Sequence, residues 1–399
     1  ISLLVKNPQA AQQGKIFFHD IGDYLSREEK LEKIAAYASV AGITAENDWQ
    51  TITPDTHGDW LKQRDDSFGE FMVLGDKKSD GAKLFDNFSL GVGTNRDAWA
   101  YNASRSKLAS NMGGMIAFYN AEVQRFNAAH PGLDSKASDA LVDGFIDTNP
   151  QRISWTRSLK SELAKGRSFA FDETCLVPSL YRPFTKQWLY FNRQLNEYVF
   201  QMPRIFPEAG GENLEVYAAG RGARSFLVLI ADALPCLDNI EKGQCFPLYL
   251  YDVAAAEAGN VHPSLFDTPQ AESKPVRRDA ITDAGLAHFQ AAYPNEIISK
   301  EDLFYYIYGL LHSPDYRERY ADNLSKELPR IPRVQTAADF WAFFKAGRAL
   351  AELHLDYETV EKYPLTIEIK GKRADDLSDA DYRVEKMKLA RKGDPTIVI

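Results

Sequence analysis

The chain has 399 residues, with 47 Lys and Arg against 56 Asp and Glu, a formal net charge of −9. At 44% apolar and 26% charged it has a globular make-up and length for two or three cores, which excludes wholesale disorder. An acidic balance argues against indiscriminate binding to polyanions, and no run of about 18 apolar residues is present to span a membrane.

Residues 1–18 predict two short strands, ISLLV and KIFF, joined across a polar turn at Asn7, Pro8 and Gly14. Ser26 and Glu29 make a capping box that opens a helix with Leu31, Ile34 and Ala38 on one face. Residues 42–93 are loop-rich. A long helix is expected over about 106–126, where Met112, Met115, Ile116, Tyr119 and Val123 recur at helical spacing. The small and turn-forming residues of 128–139, with Pro131 and Gly132, mark the best candidate domain boundary.

From 150 to 252, short aromatic runs (FAF, LYRPF, WLYF, LEVYAA, FPLYLY) alternate with Gly and Pro turns and predict a mostly antiparallel β unit. Residues 253–276 read as a surface excursion. Ser299 with Asp302, and Thr336 with Asp339, are placed to cap two further helices, and LTIEI (365–369) predicts a last strand. The class is α+β, mixed, with an aromatic-rich antiparallel β unit flanked by helical segments. Cys175, Cys236 and Cys245 are scattered and form no CxxC pair, so free thiols and a cytoplasmic location are expected. The chain opens without Met on ISLLV and stops on TIVI, which suggests a slice of a longer protein.

No GxxxxGK[ST], HExxH or GxSxG occurs, and no GxGxxG follows a strand, so no catalytic or metal-binding residue is assigned. Asp356, Glu368 and Lys370 reproduce a D…ExK arrangement in which two carboxylates could hold Mg²⁺ for a nuclease. Strand alternation on a solvated face yields the same triplet without function. The stronger signal is charge distribution. Residues 151–207 carry Arg152, Arg157, Lys160, Lys165, Arg167, Arg182, Lys186, Arg193 and Arg204 against four carboxylates, a surplus of five within a chain otherwise at −14.

Trp155, Phe169, Phe171, Tyr181, Phe184, Trp188, Tyr190 and Phe191 are interleaved with these cations. Such a mixture suits DNA: cations neutralise phosphates, Arg forks read guanine edges, and aromatic rings stack on exposed bases. A β unit with an aromatic core and a solvated basic face would read the same. Two smaller clusters join the candidate DNA-binding set, Asn95 and Arg96 in TNRDAWAYN and Arg221 and Arg224 in the glycine-flanked GRGAR loop.

Six segments carry a resemblance: TNRDAWAYN (94–102), SLYRPFTKQWLYF (179–191), QMPRIFP (201–207), EKGQCFPLY (241–249), FYYIYGLLHSPDYRERY (304–320) and FWAFFKAGRALAELHL (340–355). In order and spacing they resemble the C-terminal part of type ISP restriction–modification enzymes. Those are single polypeptides with a nuclease, an ATP-driven translocase, an adenine-N6 methyltransferase and a target-recognition domain. The resemblance implies that residues 1–45 end the methyltransferase core, 46–130 form a helical and loop connector, and 131–399 recognise the DNA target. Its implied partners are double-stranded DNA and the upstream methyltransferase domain of the same polypeptide.

S-adenosylmethionine, ATP and Mg²⁺ would serve the parent enzyme, and no cofactor is expected in this chain. The family's NPPY-type tetrapeptide would lie before Ile1, since Asn7-Pro8-Gln9-Ala10 does not match it. The chain alone is therefore not expected to methylate, translocate or cut. A metal-dependent nuclease and a protein-interaction module stay open as alternatives.

Overall fold

Ser104 accepts a hydrogen bond from the Lys107 N–H (3.3 Å) and starts the longest helix, Arg105–Ala129. The expected apolar stripe of Met112, Met115, Ile116, Tyr119 and Val123 is buried along it. The computed structural model describes residues 3–9, 11, 14–46, 49–207, 212–252, 275–361, the single positions 373, 376 and 378, and the backbone of 389–391 and 394–398. Residues 1–355 form one compact unit and Asp356–Ile399 a second. The fold class is α+β, as expected.

Local capping chemistry set several boundaries correctly. Ser26 and Glu29 close the predicted capping box on the helix Arg27–Tyr37, and Ser299 and Asp302 close another on Lys300–Leu311. Thr336 accepts from the Asp339 N–H (3.1 Å) ahead of Ala337–Leu355. The N-terminal strand pair differs from expectation. Ile16–Phe18 pairs with Gln50–Ile52, while residues 3–7 form no strand and leave Leu3, Leu4 and Val5 exposed. Those three side chains have no apolar face to cover, and a lone two-stranded hairpin is marginal in water.

The β unit divides into two main sheets. One orders Tyr101–Asn102, Thr185–Tyr190, Leu176–Arg182 and Leu234–Pro235, antiparallel except for the last pair. The other orders Gln244–Pro247, Glu215–Ala218 and Val228–Ala231, antiparallel throughout. The FAF run is not a strand; Phe169 instead stacks on Tyr119, 5.0 Å between ring centres.

Behind the sheets lies Lys300–Leu311, apolar all round and buried from Leu303 to Leu311, which is the signature of an interior helix. It packs on Ala337–Leu355 where Gly309 meets Gly347, and Tyr306 stacks on Phe340 at 4.5 Å. In the second unit, Leu389–Arg391 pairs with Asp394–Val398. Asp356 sits in a turn there, its carbonyl accepting from Thr359. Glu368, Lys370, the LTIEI strand and nearly all of the 253–276 excursion lie outside the described residues. Cys175, Cys236 and Cys245 are free thiols. Among the described residues no helix is long and apolar enough to cross a membrane.

Candidate nucleic-acid interface

Six of the nine cations in 151–207 are ion-paired. Lys165 and Arg167 share Glu162 (2.7 and 2.8 Å), the one pairing contained within the stretch. The others reach carboxylates outside it: Lys160 to Asp143 (2.6 Å), Arg152 to Asp147 (4.0 Å), Lys186 to Asp232 (3.9 Å) and Arg204 to Asp252. Counting charges along the segment therefore overstated its free positive charge. Arg182 lies over the Tyr181 ring (4.1 Å) and donates to the Cys236 sulfur at 3.4 Å. Arg157 and Arg193 are exposed, with no side-chain partner among the described residues.

Arg157 opens the helix Arg157–Ala164 and Arg193 sits in the turn at 192–201, and both segments are tied to the Asn95–Arg96 motif. Gly93 and Tyr198 exchange two backbone hydrogen bonds (2.9 Å each), joining the loop at 93–97 to the turn at 192–201. Arg96 is 4% exposed and donates through Nη2 to Thr156 Oγ1 (2.7 Å), the N-cap of the helix Arg157–Ala164. Ser158 on that helix donates to Glu197 Oε2, which closes the triangle back to the turn. Burial pulls the Arg96 guanidinium down to about 10, opposed by Glu197, so it stays charged at neutral pH. Burial pushes the Glu197 carboxyl up, but hydrogen bonds from Ser158 and Thr156 outweigh this and hold it below its ordinary value.

Within the first loop, Thr94 donates to Asp97 Oδ1 and accepts from the Arg96 N–H (3.0 Å), and Asp97 Oδ2 accepts from the Tyr181 hydroxyl (3.2 Å). The clamp holds Asn95 in the left-handed region, φ 52°, with its side chain exposed. Asn is one of the few side chains that tolerate that backbone, and such positions gather at functional loops. A cleft of about 400 Å³ opens here, lined by Asn95, Arg96, Asp97 and Trp99, by Pro150 and Ser154, and by Cys236, Leu237 and Asp238.

Several buried polar atoms without a hydrogen-bond partner among the described residues lie on or next to these segments: Arg96 Nε and Nη1, Asn196 Nδ2, and, following the cleft residue Asp238, both amide atoms of Asn239. Native interiors leave few such groups, so their concentration marks a site organised for something other than stability.

Of the residues singled out in the sequence, the fold brings the segments of Asn95, Arg96, Arg157 and Arg193 together. It does not bring in Lys165 and Arg167, which share Glu162, or Arg204 and Arg224, which pair with Asp252 and Glu241. Gly220 serves a close backbone approach, because a Cβ there would lie 2.1 Å from the Lys242 carbonyl oxygen. Arg221 beside it is exposed.

Tyr198 and Phe200 were missed. Both are exposed, their rings stack at 5.5 Å, and Phe200 also has positive φ, 46°. With Val199 buried between them, the pattern alternates with period two and was visible in the sequence. Asp238, Thr156 and Glu197 gave no local signal; only the fold assembles them.

The family model for the Type ISP C-terminal specificity domain matches residues 83–399. No curated protein matches. Among solved structures, a nuclease-deletion mutant of the Type ISP restriction–modification enzyme LlaGI in complex with a DNA substrate mimic is 33% identical at TM-score 0.73, covering 96% of this chain and 26% of that one. The ATP-dependent Type ISP restriction–modification enzyme LlaBIII bound to DNA is 31% identical at TM-score 0.74, covering 99% of this chain and 23% of that one. A DrdV–DNA complex is 33% identical at TM-score 0.68, covering 88% and 32%. The chain therefore spans a third or less of each of these proteins. It belongs to the Type ISP restriction–modification family, whose C-terminal specificity domain its residues 83–399 represent.

Proposed function

We propose that this chain recognises a sequence in double-stranded DNA on behalf of a larger restriction–modification enzyme that methylates adenine at N6. In this reading residues 1–45 end the methyltransferase core, 46–130 connect, and 131–399 grip the duplex, with the 93–97 loop contributing from the connector. The upstream domain of the same polypeptide takes the target adenine out of the stack, which costs a few kcal/mol and needs the duplex held beside it. The observation that carries the reading is the cross-tied set of loops at 93–97, 154–158 and 192–201. It leaves Arg157 and Arg193 unpaired, among the described residues, beside a preorganised cleft. Phosphate contacts from those arginines would set register, and side chains in the cleft would read sequence.

The test is duplex affinity against salt concentration. Arg157→Ala and Arg193→Ala should each weaken binding uniformly across sequences and reduce the salt slope by about 1. Arg224→Ala, already satisfied by Glu241, should leave the slope unchanged. Unaltered slopes in both Arg157 and Arg193 variants would remove the proposed placement of the phosphate contacts.

A further inference from the structure

We infer that the cleft accepts a base edge bearing an amino group, adenine or cytosine, rather than a phosphate, with Asn95 and Asp238 as its readers. The inference rests on the DNA-recognition reading above and deepens it. The charges of the cleft decide between the two occupants. Among the described residues its one cation is Arg96, which is 4% exposed and already engaged with Thr156. Against it the walls carry two carboxylates, Asp97 and Asp238. A phosphate entering would meet net negative charge, whereas an exocyclic amino group would meet acceptors.

Asp97 is occupied, since its two oxygens accept from Thr94 and Tyr181. Asp238 is exposed and its carboxylate has no partner among the described residues. The Asn95 amide is likewise exposed and unpartnered there. An Asn amide pairs bidentately with adenine N6 and N7, and a carboxylate accepts from cytosine N4. A reader also has to be held still. Asn95 is fixed by the Gly93–Tyr198 clamp before it and the Thr94–Asp97 and Arg96–Thr156 bonds around it. Asn239, the next residue after Asp238, is 4% exposed and its side-chain amide has no hydrogen-bond partner among the described residues. Phosphates are left to Arg157 and Arg193 outside the cleft.

The experiment selects bound duplexes from a randomised pool with the 399-residue chain and with Asn95→Gly and Asp238→Asn. Glycine tolerates the positive φ at 95 and removes the side chain with its amide; asparagine keeps the shape at 238 and removes the charge. The wild type should enrich sites with adenine or cytosine at a defined position. One or both variants should lose that preference by on the order of 10- to 100-fold, with the salt slope unchanged. Identical selected sites and preferences in all three proteins would overturn the inference while leaving DNA recognition standing. So would a uniform loss of affinity with the preference intact. A wild type that binds duplex but enriches nothing would overturn the recognition reading itself, and this inference with it.

Discussion

Gly347→Ala should destabilise the chain by about 3 kcal/mol or more, read as a large fall in the thermal midpoint. A Cβ at 347 would lie 2.0 Å from the Tyr305 carbonyl oxygen and 2.7 Å from the Gly309 nitrogen, both backbone atoms of the facing helix. No rotamer change relieves a backbone clash, so Lys300–Leu311 and Ala337–Leu355 would have to separate. That separation would open the stacked Tyr306–Phe340 pair and the buried face around it. Gly114→Ala is the matched control. It lies within Arg105–Ala129, where a Cβ meets nothing within 4 Å. There alanine should stabilise by about 0.5–1 kcal/mol through helix propensity alone. Equal effects at the two positions would mean that the glycine-to-glycine helix crossing is not what holds this core.

The second large effect has the opposite sign. Glu215 is fully buried in the strand Glu215–Ala218, and among the described residues only the buried Cys245 thiol offsets the burial of its carboxyl. Burial pushes its carboxyl well above the ordinary range. The folded state therefore keeps a proton that the unfolded chain releases. Stability falls as pH rises from the unfolded value of about 4.5 towards the folded one. Glu215→Met, similar in length and apolar, should stabilise the chain by about 1–3 kcal/mol by removing a buried carboxyl that only a weak thiol partner offsets. Its advantage should widen as pH is raised from 5 to 9. Glu215→Gln separates charge from polarity: it should flatten the pH dependence while keeping most of the polar penalty. A gap between wild type and Glu215→Met that stays constant with pH would show that the carboxyl does not titrate in the folded chain's favour at low pH.

Features encoded within one or two turns of chain were legible in the sequence. The capping boxes at Ser26 and Ser299 and the buried stripe of Arg105–Ala129 need only neighbours three or four residues away. The TNRDAWAYN motif was legible too, because a loop that fixes Asn95 writes its own hydrogen bonds locally through Thr94 and Asp97. Charge was not. Lys186 finds Asp232 and Arg204 finds Asp252, partners beyond any local window, so a segment that looked basic is largely compensated in space. Exposed ion pairs of this kind are worth about 0–1 kcal/mol, so phosphates could still recruit some of these side chains. Within 151–207, Arg157 and Arg193, without a side-chain partner among the described residues, are distinguished by topology alone. The ISLLV run failed for a related reason, since β-propensity without a surface to cover does not make a strand.

The opening objection, that a net charge of −9 disfavours DNA, takes a narrower form in the structure. Acidic partners quench most of the basic stretch and leave free cations at one set of cross-tied loops. On the proposed reading, such a surface holds phosphates weakly and leans on base contacts.

Hydrogen exchange of the 399-residue chain with and without a selected duplex tests that placement most directly. Backbone amides of residues 93–99, 154–158 and 192–201 should slow together on DNA binding, with the 221–224 loop unchanged. Protection confined to 221–224 or to 165–167, with the three loops exchanging as in the free chain, would contradict the account.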